Sequence, residues 1–281
     1  MEDYEVGSRD RWRIDTVPAF CINLERRPDR WREIVAQPGV EALPRLKRFQ
    51  GVDGKTLDIR RDGRVPLMTK RNILANARRT HEELDTAGGV GCALSHIAVW
   101  EWIVQNRSPV TLVLEDDAAV PADFVARFNA VLDASPMLRD ATTWDVVLFT
   151  PDTMGCVTVP KEPLLASCAA FLGLQAYLIT RECAERFLEE AYTLHMHIDL
   201  WMGVYKSVYG LRLLSIPDLS VGQRSSKTDI QNNHACAICD VRTSFDKTHA
   251  LVRNEEVVML RIIEVAVVAG LAYWLYTAVR K

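Results

Sequence analysis

A run of strand-forming residues at positions 110–114 (VTLVL) ends directly in three consecutive carboxylates, Glu115, Asp116 and Asp117. A short run without alternation of apolar and charged residues is typical of a strand that is buried on both faces, as in a parallel sheet. The charged residues must then leave the core where the strand ends. Open α/β sheets bind ligands at that edge. This feature therefore predicts an α/β domain with an acidic cluster at the carboxyl edge of its sheet.

Strands alternate with helices along the rest of the chain. Further strands are predicted at 17–24, 46–50, 145–149 and 176–180, and helices at 25–33, 93–105, 122–134 and 181–192. Thr180 is placed to cap the last of these helices. We interpret residues 55–87 as a polar insertion or flexible region and residues 88–91, which contain three glycines, as a loop. The alternation predicts a mostly parallel central sheet.

Composition restricts the possible function. A chain of 281 residues with 48% hydrophobic and 25% charged residues can bury a sizeable core. The net charge of −3 and the isoelectric point near 6.1 argue against a nucleic-acid partner bound through general basicity. Seven scattered cysteines indicate reduced thiols in a cytosolic compartment. Cys236 and Cys239, near His234 and His249, have only partial zinc spacing.

The C-terminal part differs from the rest. We divide the chain into a tail (1–16), a catalytic domain (17–231), a polar linker (232–256) and an apolar segment (257–279). As a helix, that last segment would be about 34 Å long, enough to cross a hydrocarbon core of about 30 Å. Trp274 and Tyr276 would be interfacial anchors. We expect a membrane anchor with the catalytic domain in the cytosol; the alternative is an amphipathic helix that closes the soluble domain.

The acidic cluster has a specific chemical interpretation. Three adjacent carboxylates repel one another unless a cation neutralises them, and Mg²⁺ or Mn²⁺ prefers such oxygen ligands and bridges readily to a diphosphate. The cluster therefore predicts a divalent-metal site. The alternative is a solvated acidic turn, or a cap for the helix that follows.

Several motifs occur in a specific order over residues 17–231. They are INLERRPDR at 22–30, VDG at 52–54, GCALSH at 91–96, LVLEDD at 112–117, AYLIT at 176–180 and IDLW at 198–201, followed by Gln223, Ser226, Asp229 and Ile230. In this order and spacing the chain resembles glycosyltransferase family 25, which includes lipooligosaccharide galactosyltransferases and procollagen galactosyltransferases.

The resemblance implies a GT-A-type nucleotide-sugar-binding fold and a UDP-sugar donor. It further implies inverting transfer of a hexose, galactose or glucose, to a glycan or a hydroxylated protein, with Mn²⁺ or Mg²⁺ as cofactor. Asp117 is then the best direct metal ligand and Glu115 the second candidate, and Glu115 or Asp116 would hold the ribose or a metal-bound water. The alternative is a catalytically inactive, membrane-tethered relative that serves as a binding or scaffold protein.

Further residues would bind the donor. Arg27 and Arg30 could reach the diphosphate through charge-assisted bonds, although they could also form a solvated helix face. Asn23 ends the first strand at the ligand edge. Asp53, in a glycine-flanked turn, could accept bonds from the base or ribose, or be an ordinary turn residue.

The remaining candidates lie on helices and near the end of the domain. Ser95 and His96 are expected to open a helix, whose N-terminus suits a phosphate or a sugar hydroxyl. Gln223 resembles a donor-site position. Inverting transfer needs a base for the acceptor hydroxyl, and Asp199, close to Trp201, is the candidate. Its alternative role is to cap a helix.

Overall fold

The computed structural model describes residues 12–75, 82–192 and 194–225, together with 262–263, 266–267 and 269–270. The chain divides into two compact units, Met1–Asn232 and Asn233–Lys281. The central sheet lies in the first unit. The cysteine pair at 236 and 239, Ser226, Asp229 and most of the predicted anchor helix lie outside the described residues.

An eight-stranded sheet with the order β2-β1-β3-β10-β5-β11-β8-β7 forms the centre of the first unit. Its strands, with four short ones outside it, are β1 Ala19–Asn23, β2 Leu46–Gln50, β3 Val110–Glu115, β4 Ala118–Ala119, β5 Val146–Leu148, β6 Thr153–Met154, β7 Val157–Val159, β8 Glu162–Ser167, β9 Ala170–Phe171, β10 Ala176–Thr180, β11 Leu213–Ser215 and β12 Gly222–Gln223. In the large sheet β10 and β8 run against the other six strands. The predicted α/β class with a mostly parallel sheet is confirmed.

The helices are α1 Pro28–Val35, α2 Pro38–Glu41, α3 Leu67–Ala75, α4 Ala87–Gln105, α5 Phe124–Ala134, α6 Pro136–Arg139, α7 Arg181–Glu190 and α8 Ile198–Tyr209, with a 3₁₀ turn at Gly54–Thr56. The surroundings of β3 explain why apolar and charged residues do not alternate along this strand. Val113 belongs to the core beneath α4, α7 and α8, whereas Leu112 and Leu114 belong to the core on the opposite face beside α5. Both faces of β3 are therefore apolar, as in the interior of a layered α/β domain.

Helix α4 is the longest helix of the described residues. It is also the one helix among them that length and composition would allow to span a membrane, but 61% of its apolar window is buried inside the protein. Trp100 and Ile103 on this helix are fully buried. We therefore assign α4 to the core.

The expectation of a loop at 88–91 is wrong, because these residues form the first turns of α4. Thr86 caps the helix, and its Oγ1 accepts a hydrogen bond from the amide of Gly89 at 3.0 Å. A Cβ on Gly91 would lie 2.5 Å from the carbonyl oxygen of Val52, and one on Gly54 would lie 1.8 Å from that of Ala87. The glycines therefore serve the close approach of helix and loop rather than a break in the helix.

The described parts of the predicted insertion, 55–75 and 82–87, are integrated in the domain. They contain α3, and their residues Ile59, Val65 and Leu84 belong to the core. The structure also differs from the expectation of reduced thiols at one pair, because Cys156 and Cys168 form a disulfide. The hairpin of β7 and β8 pairs Val157 with Ser167, so the two neighbouring cysteines lie opposite each other.

We expect Gly91→Ala to lower the free energy of unfolding by about 1–3 kcal/mol, the usual cost of overpacking. Its new methyl group would collide with the backbone of the 51–54 loop. Gly203→Ala on α8 is the matched control. A Cβ at Gly203 meets nothing within 4 Å, so helix propensity should raise stability by about 0.5–1 kcal/mol. Urea unfolding of both variants measures the difference, and a Gly91→Ala protein as stable as the native chain would contradict the packing.

Candidate functional site

Two adjoining cavities open where the parallel strands end. The first is lined by residues that include Arg26, Arg30, Asp53, Ser95, His96 and the three carboxylates of the acidic cluster. The second is lined by residues that include Gln175, Asp199 and Gln223. Both cavities share Cys92 and Glu115. The structure therefore brings most of the predicted site residues to one edge of the sheet.

Asp116 is the buried anchor of the acidic cluster. Its Oδ2 accepts a hydrogen bond from Asn23 Nδ2 at 2.6 Å, and its Oδ1 accepts one from Arg30 Nη1 at 2.8 Å. Burial raises the pKa of the Asp116 carboxyl above its ordinary value, and the bonds from Asn23 and Arg30 offset part of this rise. Because each carboxylate oxygen of Asp116 has a protein partner, the side chain is fixed. Asp116 therefore positions its sequence neighbours Glu115 and Asp117.

Asp117 differs from Asp116, because only one of its two carboxylate oxygens has a hydrogen-bond partner among the described residues. Its Oδ2 accepts a hydrogen bond from Gln223 Nε2 at 3.0 Å, whereas its buried Oδ1 has no hydrogen-bond partner in the described part of the chain. Burial, followed by the charge of Glu115, raises the pKa of Asp117. A buried carboxylate oxygen without a partner beside a second carboxylate fits a hard divalent cation. The residues present therefore suit the predicted metal.

Glu115 is oriented by a chain of buried hydrogen bonds. Trp100 Nε1 donates to Tyr177 Oη at 3.1 Å, Tyr177 Oη lies 2.9 Å from His96 Nδ1, and His96 Nε2 lies 3.1 Å from Glu115 Oε1. An indole N–H can only donate, so the hydroxyl hydrogen of Tyr177 is directed to His96. The proton of a neutral His96 is then on Nε2, which donates to Glu115.

Cys92, His96 and Glu115 have potential ligand atoms within 4.8 Å of one another. His96 Nε2 lies 3.1 Å from Glu115 Oε1, so a metal bound at this trio would have to break that contact. Burial, and next the charge of Glu115, raises the pKa of the Cys92 thiol well above its ordinary value. Thiolate and imidazole ligands suit softer metals such as Zn²⁺, whereas Mg²⁺ and Mn²⁺ prefer carboxylate oxygens. The carboxylate pair Glu115 and Asp117 is the better candidate.

Ser95 and His96 lie inside α4, so the expectation that they open a helix is wrong. Ser95 Oγ donates to the carbonyl oxygen of Gly91 at 2.6 Å and accepts from the amide of Val52 at 2.8 Å. Ser95 thus ties the 51–54 loop to the helix. Asp53 in that loop accepts a hydrogen bond from Arg26 Nε at 2.6 Å, and this bond lowers the pKa of Asp53.

The two consecutive arginines after β1, Arg26 and Arg27, have different surroundings. Arg27 pairs with Asp29 at 2.8 Å and is not among the residues that line either cavity, whereas Arg26 lines the first cavity. Sequence reasoning selected Arg27 and missed Arg26, because the bend that precedes α1 decides which side chain faces the cavity. Gln175 was also missed, since it stands in an apolar context without a motif, and Cys92 was missed although it lies in the motif at 91–96.

Asp199 lies in the first turn of α8 and lines the second cavity. Its Oδ2 accepts a hydrogen bond from the amide of Gly173 at 2.8 Å, and its Oδ1 accepts one from the amide of Leu200 at 2.9 Å. The N-cap of α8 is His197. Each oxygen of Asp199 keeps a second lone pair that can face the cavity.

The sequence profile described as Glycosyltransferase family 25 (LPS biosynthesis protein) matches residues 16–202, which include the first strand, the acidic cluster and Asp199. The chain belongs to glycosyltransferase family 25. This membership confirms the resemblance drawn from the motifs and supports assignment of the chain as a glycosyltransferase.

Members of family 25 in animals are similar to this chain over part of their length. A Glycosyltransferase 25 family member of Aedes aegypti is 31% identical over 176 residues, which cover 61% of this chain and 28% of that protein. One of Anopheles gambiae is 34% identical over 174 residues, with the same coverage. Procollagen galactosyltransferase 2 of Homo sapiens is 24% identical over 255 residues, which cover 82% of this chain and 40% of that protein. The chain thus spans less than half the length of these curated relatives.

We expect Asp116 and Asp117 to lower the stability of the metal-free protein as the pH rises, because the folded state raises the pKa values of these two residues. A raised folded-state pKa means that the native state binds more protons than the unfolded state, so the free energy of unfolding falls as pH rises through that pKa. Asp117→Asn should reduce this fall and unfold at a higher temperature than the native chain near neutral pH. Thermal unfolding in chelator between about pH 4 and 8 measures it; an identical pH profile for both proteins would contradict the electrostatics.

Proposed function

We propose that this chain is a metal-dependent, inverting glycosyltransferase that moves galactose or glucose from a UDP-sugar to a hydroxyl of a glycan or a hydroxylated protein. The observation that carries the proposal is the buried Asp117 carboxylate, which has one unpartnered oxygen beside Glu115 where two cavities adjoin. Membership of family 25 supports it, as does the likeness to a procollagen galactosyltransferase. The sheet edge would then be used as in GT-A-type enzymes.

The three carboxylates of the acidic cluster would have different roles. Asp117 and Glu115 would hold Mn²⁺ or Mg²⁺, and Gln223 keeps Asp117 oriented through its hydrogen bond. Asp116 holds both neighbours in place through Asn23 and Arg30. The bound cation would supply Lewis-acid stabilisation of the charge that develops on the departing UDP.

The first cavity suits the nucleotide. Arg26 and Arg30 line it and provide guanidinium groups for the diphosphate. Asp53 lines the same cavity beside Arg26 and could accept hydrogen bonds from the ribose or the base. Ser95 supports this subsite from below by fixing the loop that carries Asp53.

The second cavity suits the acceptor hydroxyl. Asp199 lines it, and the cavity reaches Glu115 of the acidic cluster. In an inverting transfer, a base removes the proton of the acceptor hydroxyl as that oxygen attacks the sugar carbon. We assign this role to Asp199, since its bond from Gly173 fixes the carboxylate while leaving it lone pairs for the acceptor.

An inactive binding or scaffold protein is the competing function. A chain without need for a metal would gain stability by replacing Asp117, because a buried and unpartnered carboxylate oxygen is destabilising. The retained carboxylate therefore favours an active enzyme. Release of UDP from UDP-galactose and UDP-glucose, measured with Mn²⁺ and with a chelator, tests the proposal; no release from either donor with any acceptor would contradict it.

The two key carboxylates should give opposite kinetic signatures. Asp117→Ala should weaken binding of UDP in the presence of Mn²⁺, because it removes the metal ligand. Asp199→Asn should lower the turnover number by about 10²–10⁴-fold, the usual contribution of a general base, and leave UDP affinity nearly unchanged. Calorimetry with UDP and steady-state rates measure both effects.

Asp133→Asn is the matched control for these variants, since Asp133 is an exposed carboxylate paired with Arg13 on the surface. It should alter neither UDP affinity nor turnover. If Asp199→Asn weakened UDP binding as much as Asp117→Ala did, Asp199 would belong to the donor subsite and the assignment as base would be wrong.

We also propose that residues 257–279 associate the protein with a membrane. The support is the apolar sequence of that segment, its aromatic residues Trp274 and Tyr276, and the basic residues Arg280 and Lys281 that follow it. The full chain should then remain with membranes after carbonate extraction, and a chain ending at residue 256 should not. Extraction of the full chain into the soluble fraction would contradict the anchor.

A further inference from the structure

The second cavity contains a buried polar side chain that the proposed mechanism does not use. Gln175 precedes β10 and is 6% exposed, and its side-chain Oε1 has no hydrogen-bond partner within the described residues. Its backbone carbonyl accepts a hydrogen bond from the amide of Glu115 at 2.9 Å. The residue is therefore fixed directly beside the acidic cluster.

Gly173 places Gln175 next to the proposed base. Gly173 has a φ of +79°, and a Cβ on it would lie 2.4 Å from the side-chain nitrogen of Gln175. Its amide donates to Asp199 at 2.8 Å. A residue with a side chain would thus be strained in this conformation and would displace the amide of Gln175. The geometry keeps Gln175 and Asp199 on either side of one glycine.

The charged residues that line the two cavities indicate what kind of ligand can bind beside Gln175. The first cavity is lined by Arg26 and Arg30, whereas the described lining of the second includes Glu115 and Asp199 but no Arg or Lys. Beside the Asp199 carboxylate a phosphate is disfavoured, because no guanidinium or ammonium group of this lining offsets the repulsion. A group with several neutral hydroxyls can donate hydrogen bonds to all three side chains.

An unsatisfied buried acceptor lowers the stability of the free protein. The same acceptor becomes an advantage when a ligand brings a donor to it, because a site built to bond a hydroxyl rejects ligands that lack one. The orphaned Oε1 thus indicates a ligand hydroxyl at this position in the cavity.

We propose that the second cavity holds the transferred hexose as well as the attacking hydroxyl, and that Gln175 is a specificity-determining residue that accepts a hydrogen bond from one hydroxyl of that hexose. This inference rests on the proposed function, because it assigns part of the same site. The diphosphate then lies on the side of Arg26 and Arg30, and the sugar extends past Glu115 toward Gln175 and Asp199.

Gln175→Met tests the inference, since methionine has a similar shape and no strong hydrogen-bonding group. In calorimetric titrations with Mn²⁺, affinity for the preferred UDP-hexose should fall by about five- to tenfold, the equivalent of one hydrogen bond, while affinity for UDP changes less than about twofold. The melting temperature of the free protein should be unchanged or higher, because an unsatisfied buried group is removed. Gln105→Met, at the exposed end of α4, should match the native chain in every titration.

The outcomes separate this inference from the proposed function. A native chain that binds neither UDP nor a UDP-hexose contradicts the proposed function. A native chain that binds both, with Gln175→Met losing affinity equally for both or for neither, overturns the role of Gln175 alone.

A series of deoxy UDP-hexoses tests the same point on the native protein, whether or not the variant folds. One deoxy position should lower affinity by about five- to tenfold relative to the parent donor. That position should cost the folded Gln175→Met variant nothing further. Equal affinity of the native chain for every deoxy donor would contradict the inference.

Discussion

The buried contact of Asp116 with Asn23 and Arg30 joins three elements of the domain at the edge of the sheet. Asn23 ends β1, Arg30 lies in α1, and Asp116 follows β3. Loss of Arg30 would leave the buried Asp116 without its ion-pair partner, which typically costs about 3–5 kcal/mol. Because Asp116 is held from both sides, the flanking Glu115 and Asp117 have fixed positions at the two cavities.

Further hydrogen bonds fix the two carboxylates that flank Asp116. The hydrogen-bond chain from Trp100 through Tyr177 to His96 fixes Glu115 from the core side of α4. Gln223 fixes Asp117 from the last short strand. These supports lie in regular elements, whereas Asp53 and Gln175 come from loops at the same edge. Regular elements thus supply the side chains that orient Glu115 and Asp117, whereas loops carry Asp53 and Gln175, which would recognise the ligand.

Sequence patterns predicted the parts of the fold that depend on local structure. The strands 46–50 and 176–180 were predicted with the observed bounds, and Thr180 caps α7 as expected, with its Oγ1 accepting from the amide of Cys183. The acidic cluster was predicted because a buried strand cannot end in three carboxylates without a compensating partner. The family match over residues 16–202 then confirmed the resemblance drawn from the motifs.

The errors concern contacts between distant segments. The glycines at the start of α4 were interpreted as a loop because their close approach to the 51–54 loop is invisible in the local sequence. The three-residue strand Leu213–Ser215 is too short to show a period, and the disulfide of Cys156 and Cys168 depends on hairpin register. Gln175 carried no signal, since an unsatisfied acceptor is a property of the folded state.

The central claim is that Glu115 and Asp117 form a divalent-metal site beside a nucleotide. A crystal of the full chain grown with Mn²⁺ and UDP, with data collected at a wavelength where manganese scatters anomalously, tests it most directly. The account predicts an anomalous peak in coordination contact with Asp117 Oδ1 and with the diphosphate. A peak at Cys92 and His96 instead, or bound UDP without any anomalous peak, would contradict it.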